Sequence, residues 1–317
     1  MKWIAGLLCA ACALPAQAQP QEWPQRPVRM LVGFGAGGGT DILARIVAPA
    51  MGAALGQPVV VENRPGAGGS IAANAVAKAE PDGYTAFLLN NGHAVSAVML
   101  PSLPYDPVAD FQPVSMVATM PLVILSGPRA GFGSLQGLLE VARHNPGKLN
   151  LASVGIGSTQ HFAAELLFHT AAVKLVHVPY KGTPNAVAAT VSNETQVLME
   201  TVGSVIGQIR GQAVQALAVT SSTRFPGLPQ VPTVAEAGLA DYAVTTWYAL
   251  VFPAKTPAAV VEKTRAALRA ALAGDEVQKQ MLNVAFLPSE STPAELGAHL
   301  KAEIARWGAV RAKAGIK

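Results

Sequence analysis

The sequence predicts an α/β protein of two lobes, each a mainly parallel sheet flanked by helices. Three observations lead to this class. The chain has 317 residues, which is about two domains' worth of sequence. Half of the residues are hydrophobic and 13% are charged, and 30 Gly and 24 Pro supply turns, so the composition is globular rather than disordered or fibrous. Short apolar runs alternate with segments of helical spacing, and this alternation occurs twice.

The first 18 residues have the pattern of a secretory signal peptide. A positive start precedes an apolar stretch at 4–14, and a small-x-small cleavage site ends at Ala18. We therefore expect export to the periplasm, with cleavage near Ala18. Cys9 and Cys12 both lie inside this segment, so the mature chain has no cysteine chemistry. A lipoprotein signal ending at Cys12 is the alternative, but the residues before it lack the usual Leu.

The elements of the first lobe follow from local pattern. Residues 27–32 are short and apolar and lead into glycines, as a buried parallel strand does. Thr40 then caps a helix whose apolar residues recur at helical spacing. The unit repeats as a strand at 59–61, a glycine turn at 66–69, a helix at 70–78 and a strand at 84–89. Such alternation gives a parallel sheet with right-handed crossovers.

The second lobe repeats this plan. Strands are expected at 149–153, 175–178, 196–199 and 214–219, and helices near 134–144, 158–170, 183–193 and 203–210. Residues 111–126 contain two β-rich runs with no helix between them, and residues 244–252 are another long β-rich run. These are the candidate strands that cross between lobes. The first lobe is then residues 23–120 plus 249–317, closed by helices near 256–273 and 293–313, and the second lobe is residues 121–248. Two lobes on a hinge leave a ligand cleft between them.

Charge and motif content exclude several classes of function. The net charge is +4 and no Lys/Arg run exceeds two residues, so the chain lacks the electrostatic footprint of a nucleic-acid-binding protein. Its apolar stretches are shorter than the roughly 20 residues that span a bilayer. The sequence has no nucleophile elbow, no zinc-protease motif and no tightly spaced histidines. We therefore expect no catalytic residue, no metal and no cofactor.

The sharpest local motif is a glycine turn between the first strand and the first helix. Residues 33–38 satisfy G-x-G-x-x-G, and Glu62 stands where a ribose-binding acid could be. Against a dinucleotide enzyme, Asp41 in the first helical turn would oppose a pyrophosphate, and exported proteins rarely meet such cofactors. Two interpretations stay open: a tight turn with a structural role, or bare amides at a helix start that receive an anionic group of a small ligand.

A second glycine turn has the same context in the other lobe. Residues 155–161 follow a strand and begin a helix, and two such turns facing each other would clamp a carboxylate. His161 could donate to an anion, or it could be a satisfied structural residue. Glu200 follows the apolar run 197–199 at the carboxyl end of a strand, where ligand-binding residues collect in α/β sheets. The alternative for Glu200 is a solvated strand end.

The mature chain resembles the substrate-binding receptors of the tripartite tricarboxylate transporter family, also called Bug proteins. Eight segments carry the resemblance, in order over almost the whole chain. They are WPQRPVR at 23–29, GGGTDILAR at 37–45, VENRPGAGG at 61–69, PDGYT at 81–85, DF at 110–111, HVPYKG at 177–182, LAVT at 217–220 and VPTVAEAG at 231–238. Each segment alone is a weak signal, but all eight together are specific.

The resemblance implies a type II periplasmic binding protein-like fold whose lobes close on a small organic acid or amino acid. Membrane transporter subunits or a sensor protein are the implied partners, and we expect a monomer. In the family the ligand carboxylate is held by the first glycine turn and by ordered waters. By position, the candidate ligand-binding residues are Phe34, Gly38, Gly39, Thr40 and Asp41 in the first lobe, Gly157, Ser158, Thr159 and His161 in the second, and Asn90 and Asn91 at the end of the strand at 84–89.

The sequence departs from the family at two places. Gly33 and Gly35 stand where the family usually has Pro, so the dinucleotide motif is accidental and the turn is freer. Glu200, the last candidate ligand-binding residue, stands where the family often has a small polar residue or Asp. If it faces the cleft, it would repel a second carboxylate and favour an ammonium or hydroxyl. An exported enzyme with Asp41, Glu200 or His161 as acid or base is the second hypothesis.

Overall fold

A computed structural model describes residues 22–100, 102–156 and 158–315. The predicted signal peptide lies outside the described residues. The strands are β1 (Val28–Val32), β2 (Val59–Asn63), β3 (Thr85–Asn90), β4 (Phe111–Ser126), β5 (Asn150–Ser153), β6 (Val176–Pro179), β7 (Val197–Thr201), β8 (Gln215–Val219), β9 (Thr245–Pro253) and β10 (Leu287–Pro288). The helices are α1 (Gly39–Leu55), α2 (Ser70–Ala77), α3 (Gly92–Met99), α4 (Leu135–His144), α5 (Thr159–Thr170), α6 (Thr183–Val191), α7 (Val202–Arg210), α8 (Ala258–Ala273), α9 (Asp275–Asn283) and α10 (Pro293–Ala314).

The strands form two sheets that share β4, which confirms the α/β class. The first sheet has the order β2-β1-β3-β9-β4-β10, and the second has the order β6-β5-β7-β4-β8. In each sheet three strands are parallel, β2-β1-β3 in the first and β6-β5-β7 in the second. Strand β4 pairs in antiparallel fashion with β7, β8, β9 and β10, and β9 pairs so with β3. Successive residues of β1 point to opposite faces of the sheet and enter different buried clusters: Leu31 joins one, and Met30 and Val32 join another. Both faces of the sheet are therefore covered by helices.

The chain changes sheet within β4 and again before β9. Pro121 pairs with Thr245 in the first sheet, and the next residue, Leu122, pairs with Thr201 in the second. The chain returns where the amide of Val244 donates to Thr220 and β9 begins. Residues 245–248, which the sequence assigned to the second lobe, therefore pair within the first sheet. We propose that the two sheets are the cores of the two lobes.

Two helices have no counterpart in the sequence prediction. They are α3, which has 8 residues, and α9, which has 9. Apolar periodicity does not separate helix from strand in segments shorter than about ten residues. The long C-terminal helix α10 packs against α3 of the first lobe and α5 of the second. Within the described ranges, no helix is both long enough and apolar enough to cross a bilayer.

Candidate functional site

A cleft of about 300 Å³ opens where residues of both sheets meet. Its first-lobe lining comes from the turns after β1 and β2, the end of β3, the start of α3 and strand β9, and its second-lobe lining comes from the turn before α5 and the end of β7. The lining residues are Phe34, Gly68, Asn90, Asn91, Gly92, Val95, Ser96, Val154, Ser158, Thr159, Gln160, Thr201, Thr246 and Tyr248. None of these described lining residues carries a formal charge.

Helix starts converge on this cleft. Strands β3, β5 and β7 end beside it, and helices α3, α5 and α7 begin within a few residues of those ends. The carboxyl ends of the parallel strands are the edge at which α/β proteins collect ligand-binding groups. Each helix start also presents unsatisfied amides and the positive end of the helix dipole. The cleft can therefore attract an anionic group without any lysine or arginine in its lining.

Some backbone amides of the first glycine turn already have hydrogen-bond acceptors within the turn and the start of α1. The Gly37 amide donates to Asp41 Oδ2 at 2.8 Å, and the Gly38 amide donates to the Gly35 carbonyl at 3.2 Å. The amides of Gly39, Thr40 and Asp41 have no acceptor among the described residues. Gly38 and Gly39 stay at the turn and do not line the cleft. The expectation of bare amides therefore holds for the first three residues of α1, and not for the turn before them.

The Asp41 side chain holds the first glycine turn through a hydrogen bond from the Gly37 amide, and it does not line the cleft. Its side chain is 3% exposed. It accepts hydrogen bonds from the Gly37 amide, from Arg45 Nε at 3.0 Å and from Asn63 Nδ2 at 2.9 Å. Burial alone would raise the pKa of Asp41, but the hydrogen bonds from Arg45, Gly37 and Asn63 outweigh it and lower that pKa below its ordinary value. The carboxylate thus has its donors within its own lobe.

Two glycine turns of the first lobe touch each other at Gly33. A Cβ placed on Gly33 would lie 2.6 Å from the Cα of Gly69, a distance that real side chains do not tolerate. Gly68, which lines the cleft, has φ +65°, and its Cβ would lie 2.7 Å from Ser96 Oγ. The glycines therefore permit close backbone approach. Gly33, a departure from the family pattern, here has a packing role.

Asn90 and Asn91 both line the cleft, but their side chains differ in hydrogen bonding. Asn90 Nδ2 donates to the hydroxyl of Thr40 at 3.0 Å, and Asn90 Oδ1 accepts from the Gly92 amide at 2.9 Å. Asn90 thus ties buried Thr40, which does not line the cleft, to the start of α3. Asn91 is 2% exposed, and its Nδ2 is buried without a hydrogen-bond partner. Asn91, which lines the cleft, thus has a hydrogen-bond donor that no described residue uses.

The second glycine turn is capped at Ser158. Its hydroxyl donates to the Gly155 carbonyl at 2.8 Å and accepts from the His161 amide at 3.2 Å. Thr159 and Gln160 follow at the cleft, and their amides have no acceptor in the part of the chain that the structure describes. Gly157, a predicted site residue, lies outside the described residues. The turn thus places bare amides of α5 in the same cleft lining as Asn91.

The structure places His161 away from the cleft. Its ring stacks on His177 with centroids 3.9 Å apart, and its Nε2 lies 3.7 Å from Glu165 Oε1. His177 in turn lies 2.6 Å from the hydroxyl of Ser153, at the end of β5. Burial and the neighbouring His161 lower the pKa of His177 to about 4. These contacts favour the structural alternative for His161, as a support beneath the second turn.

Glu200 lies directly behind the second-lobe wall and is 1% exposed. Its Oε1 accepts from Gln160 Nε2 and from the Thr201 amide, each at 2.7 Å, and its Oε2 accepts from the Thr183 hydroxyl at 2.8 Å. Glu200 is therefore neither a solvated strand end nor a lining residue. Gln160 and Thr201 do line the cleft, so Glu200 is linked to it by its hydrogen bonds with these two residues.

Sequence reasoning missed part of the lining. Tyr248 lies in β9 opposite Asn90, and its hydroxyl is 3.4 Å from where a Cβ on Gly39 would stand. Burial raises the pKa of Tyr248 to about 12. Gln160 belongs to the second glycine turn, at 155–161, and Gly68 belongs to the segment 66–69, which was predicted only as a turn. Both residues therefore had a sequence signal. Tyr248 had none beyond its place in a predicted crossing strand.

Comparison with known sequences identifies a family. A family model described as tripartite tricarboxylate transporter family receptor matches residues 43–316. A protein in the tcbD–tcbE intergenic region of Pseudomonas sp. strain P51 is 38% identical over 96% of this chain and 91% of the relative. Protein BugT of Bordetella pertussis is 33% identical over 99% of this chain and 97% of the relative.

Solved structures agree with the sequence comparison. A Rhodopseudomonas palustris protein solved with adipate has a TM-score of 0.82 and 32% identity, covering 93% of this chain and 99% of that one. MatC from the same organism, with bound malate, has a TM-score of 0.77 and 32% identity, covering 91% and 99% respectively. The predicted resemblance and the predicted fold class are thereby confirmed.

Proposed function

The chain belongs to the tripartite tricarboxylate transporter receptor family, and from this premise we propose that it is a periplasmic solute-binding protein that closes two lobes on a small carboxylate. The observation that carries the proposal is the cleft itself. The bare amides of Thr159 and Gln160 at the start of α5 and the unpaired Asn91 Nδ2 belong to residues that line this one space, and all of them are neutral donors. A carboxylate accepts such donors and is favoured near helix starts.

The size of the cleft supports a small ligand. A volume of about 300 Å³ lies at the lower end of the range for small-molecule pockets. An organic acid or amino acid suits it, whereas a dinucleotide needs far more room. The adipate and malate of the two structural relatives are small carboxylates too. This favours the anion-binding interpretation of the glycine turn over the dinucleotide enzyme.

Reversible capture, without bond making or breaking, is the activity we propose. The family is one of solute-binding receptors, and the side chains proposed as acid or base in the enzyme hypothesis do not line the cleft: Asp41, His161 and Glu200 each contact groups of their own lobe. We propose that a leader directs the chain to the periplasm, and that it acts there as a monomer. The partner would be membrane transporter subunits or a sensor.

A thermal-shift screen against organic and amino acids tests the proposal. A ligand at 100 times its dissociation constant stabilises the folded protein by about 2.7 kcal/mol. Asn91→Asp replaces the unpaired donor with a repelling oxygen, so we expect it to weaken carboxylate binding by about 10- to 100-fold, the worth of one hydrogen bond to a charged group. Asn74→Asp is the matched control, because its buried, unpaired Oδ1 lies outside the cleft lining.

Three outcomes would contradict the proposal. The native protein could bind no carboxylate, it could convert a ligand to a product detectable by mass spectrometry, or Asn91→Asp and Asn74→Asp could weaken binding equally. Because a buried Asp can prevent folding, Thr159→Val, which removes a cleft-lining hydroxyl, serves as a milder second variant and should weaken binding less.

A further inference from the structure

The Glu200 carboxylate is buried without a counter-ion. Its hydrogen-bond donors are the side chains of Gln160, Thr183 and Thr201 and the Thr201 amide, and all of them are neutral. Within the described ranges no lysine, arginine or histidine forms an ion pair with it. Every one of these contacts is one in which Glu200 accepts, and no charged donor is among them. A negative charge on this carboxylate has no paired cation among the described residues to offset its potential at the cleft.

Glu200 also fixes which end of the Gln160 amide faces the cleft. Gln160 Nε2 donates to Glu200 Oε1 at 2.7 Å, and only the NH2 end of the amide can make that bond. The carbonyl end, Oε1, accepts no hydrogen bond from the described residues, and it is not among the buried unpaired atoms. Since Gln160 lines the cleft, this oxygen is an open acceptor there.

Thr201 likewise presents a hydrogen-bond acceptor, and not a donor, to the cleft. Its hydroxyl lies 3.1 Å from Glu200 Oε1 and 2.8 Å from the hydroxyl of Ser204, so its proton is engaged on the protein side. We call Gln160, Thr201 and the Glu200 behind them the acceptor corner. In the first-lobe lining of the same cleft, Asn91 Nδ2 is a donor without a partner among the described residues. One region of the cleft thus suits an anion, and the acceptor corner suits a hydrogen-bond donor or a cation.

We propose that the ligand is a small carboxylate that also carries a hydrogen-bond donor, with an ammonium preferred to a hydroxyl, and that Glu200 is the positioning residue that sets this preference through Gln160. A second carboxylate at the acceptor corner would meet the Gln160 carbonyl and the Glu200 charge, both repulsive. This inference rests on the proposed function, since it assumes that a carboxylate enters the cleft.

Isothermal titration of matched ligands tests the inference. The panel is three- to six-carbon monocarboxylates, each unsubstituted, hydroxylated or aminated at the second or the terminal carbon, together with the dicarboxylates of the same lengths. We expect the best aminated member to bind the native protein at least tenfold more tightly than its unsubstituted parent and than the dicarboxylate of that length, about 1.4 kcal/mol. The hydroxylated member should lie between them.

The variants separate positioning from a merely structural role, because a structural defect weakens all ligands equally. Glu200→Gln should lower the ratio of aminated to unsubstituted affinity tenfold or more. Thr183→Val should lower it less, since only the bond to Oε2 is lost. Glu194→Gln, which neutralises an exposed acid bonded to Tyr180, is the control and should leave the ratio unchanged. If Glu200→Gln does not fold, Gln160→Leu removes the same acceptor and should lower the ratio likewise.

The outcomes distinguish this inference from the proposed function. If unsubstituted acids or dicarboxylates bind the native protein as tightly as aminated ones, or if the ratio survives both Glu200→Gln and Gln160→Leu, the acceptor corner is refuted while carboxylate binding stands. If no carboxylate of the panel binds the native protein, the proposed function fails and this inference fails with it.

Discussion

Replacing Asp41 with alanine tests the reasoning about the first glycine turn. The change removes the acceptor of the Gly37 amide, of Arg45 Nε and of Asn63 Nδ2. A hydrogen bond to a charged group contributes about 1.5–3 kcal/mol. Arg45 is 55% exposed and regains water, so its contribution is small. The other two bonds, from Gly37 and Asn63, together predict a loss of about 3–6 kcal/mol in the free energy of unfolding.

The same carboxylate predicts a pH dependence. Because the pKa of Asp41 is lower in the folded protein than its ordinary value, its contribution is complete above the unfolded pKa, which is about 3.9. That contribution is lost as the pH falls through the lower folded pKa. The stability difference between the native protein and Asp41→Ala should therefore be constant from pH 7 to about pH 5 and shrink below about pH 4.

Urea unfolding followed by tryptophan fluorescence measures both effects. The control is Asp82→Ala, since Asp82 makes an ion pair with Arg26 in which the two side chains are 43% and 63% exposed, and such surface pairs contribute about 0–1 kcal/mol. Ligand affinity should fall in Asp41→Ala as the turn loosens, and stay unchanged in Asp82→Ala. Equal losses of stability in the two variants would refute the bracing role of Asp41.

Two further predictions follow from buried groups. Gly33→Ala, whose Cβ would lie 2.6 Å from Gly69 Cα, should lower stability by about 1–3 kcal/mol and weaken ligand binding, whereas Gly35→Ala, whose Cβ meets nothing within 4 Å, should change neither in the same titrations. Burial lowers the pKa of His93 to about 4, so its contribution to stability is complete above about pH 6.5 and lost as the pH falls towards 4. His93→Gln should therefore lose less stability than the native protein between pH 7 and pH 4.5 in urea unfolding, and an equal loss would contradict the buried, neutral histidine.

Local pattern predicted most of the secondary structure. Strand β1 and helix α5 lie within a residue or two of their predicted bounds, because apolar periodicity and the cap at Ser158 are encoded in a few consecutive residues. The short α3 was missed because eight residues carry too little periodicity. Residues 111–126, predicted as two β-rich runs, form one strand, since both halves find partners, in different sheets.

The candidate site was only partly predictable. Phe34, Asn90, Asn91, Ser158 and Thr159 line the cleft, and their predicted contact with a ligand stays a prediction. Asp41, His161 and Glu200 have equally suggestive positions, yet their side chains turn to partners in their own lobe. A strand-end position specifies where a residue's backbone lies, and it does not specify the direction of its side chain.

By itself the sequence determined the α/β class, the doubled strand–helix plan and the family, because these depend on spacing and composition that are local along the chain. Only the tertiary structure decided which groups line the cleft. Asp41 bonds Asn63, Asn90 bonds Thr40, and Glu200 bonds Gln160. These partners are 22, 50 and 40 residues apart in the chain. Their contacts exist only once the sheets are assembled, since packing, and not local spacing, selects the rotamer of a buried polar side chain.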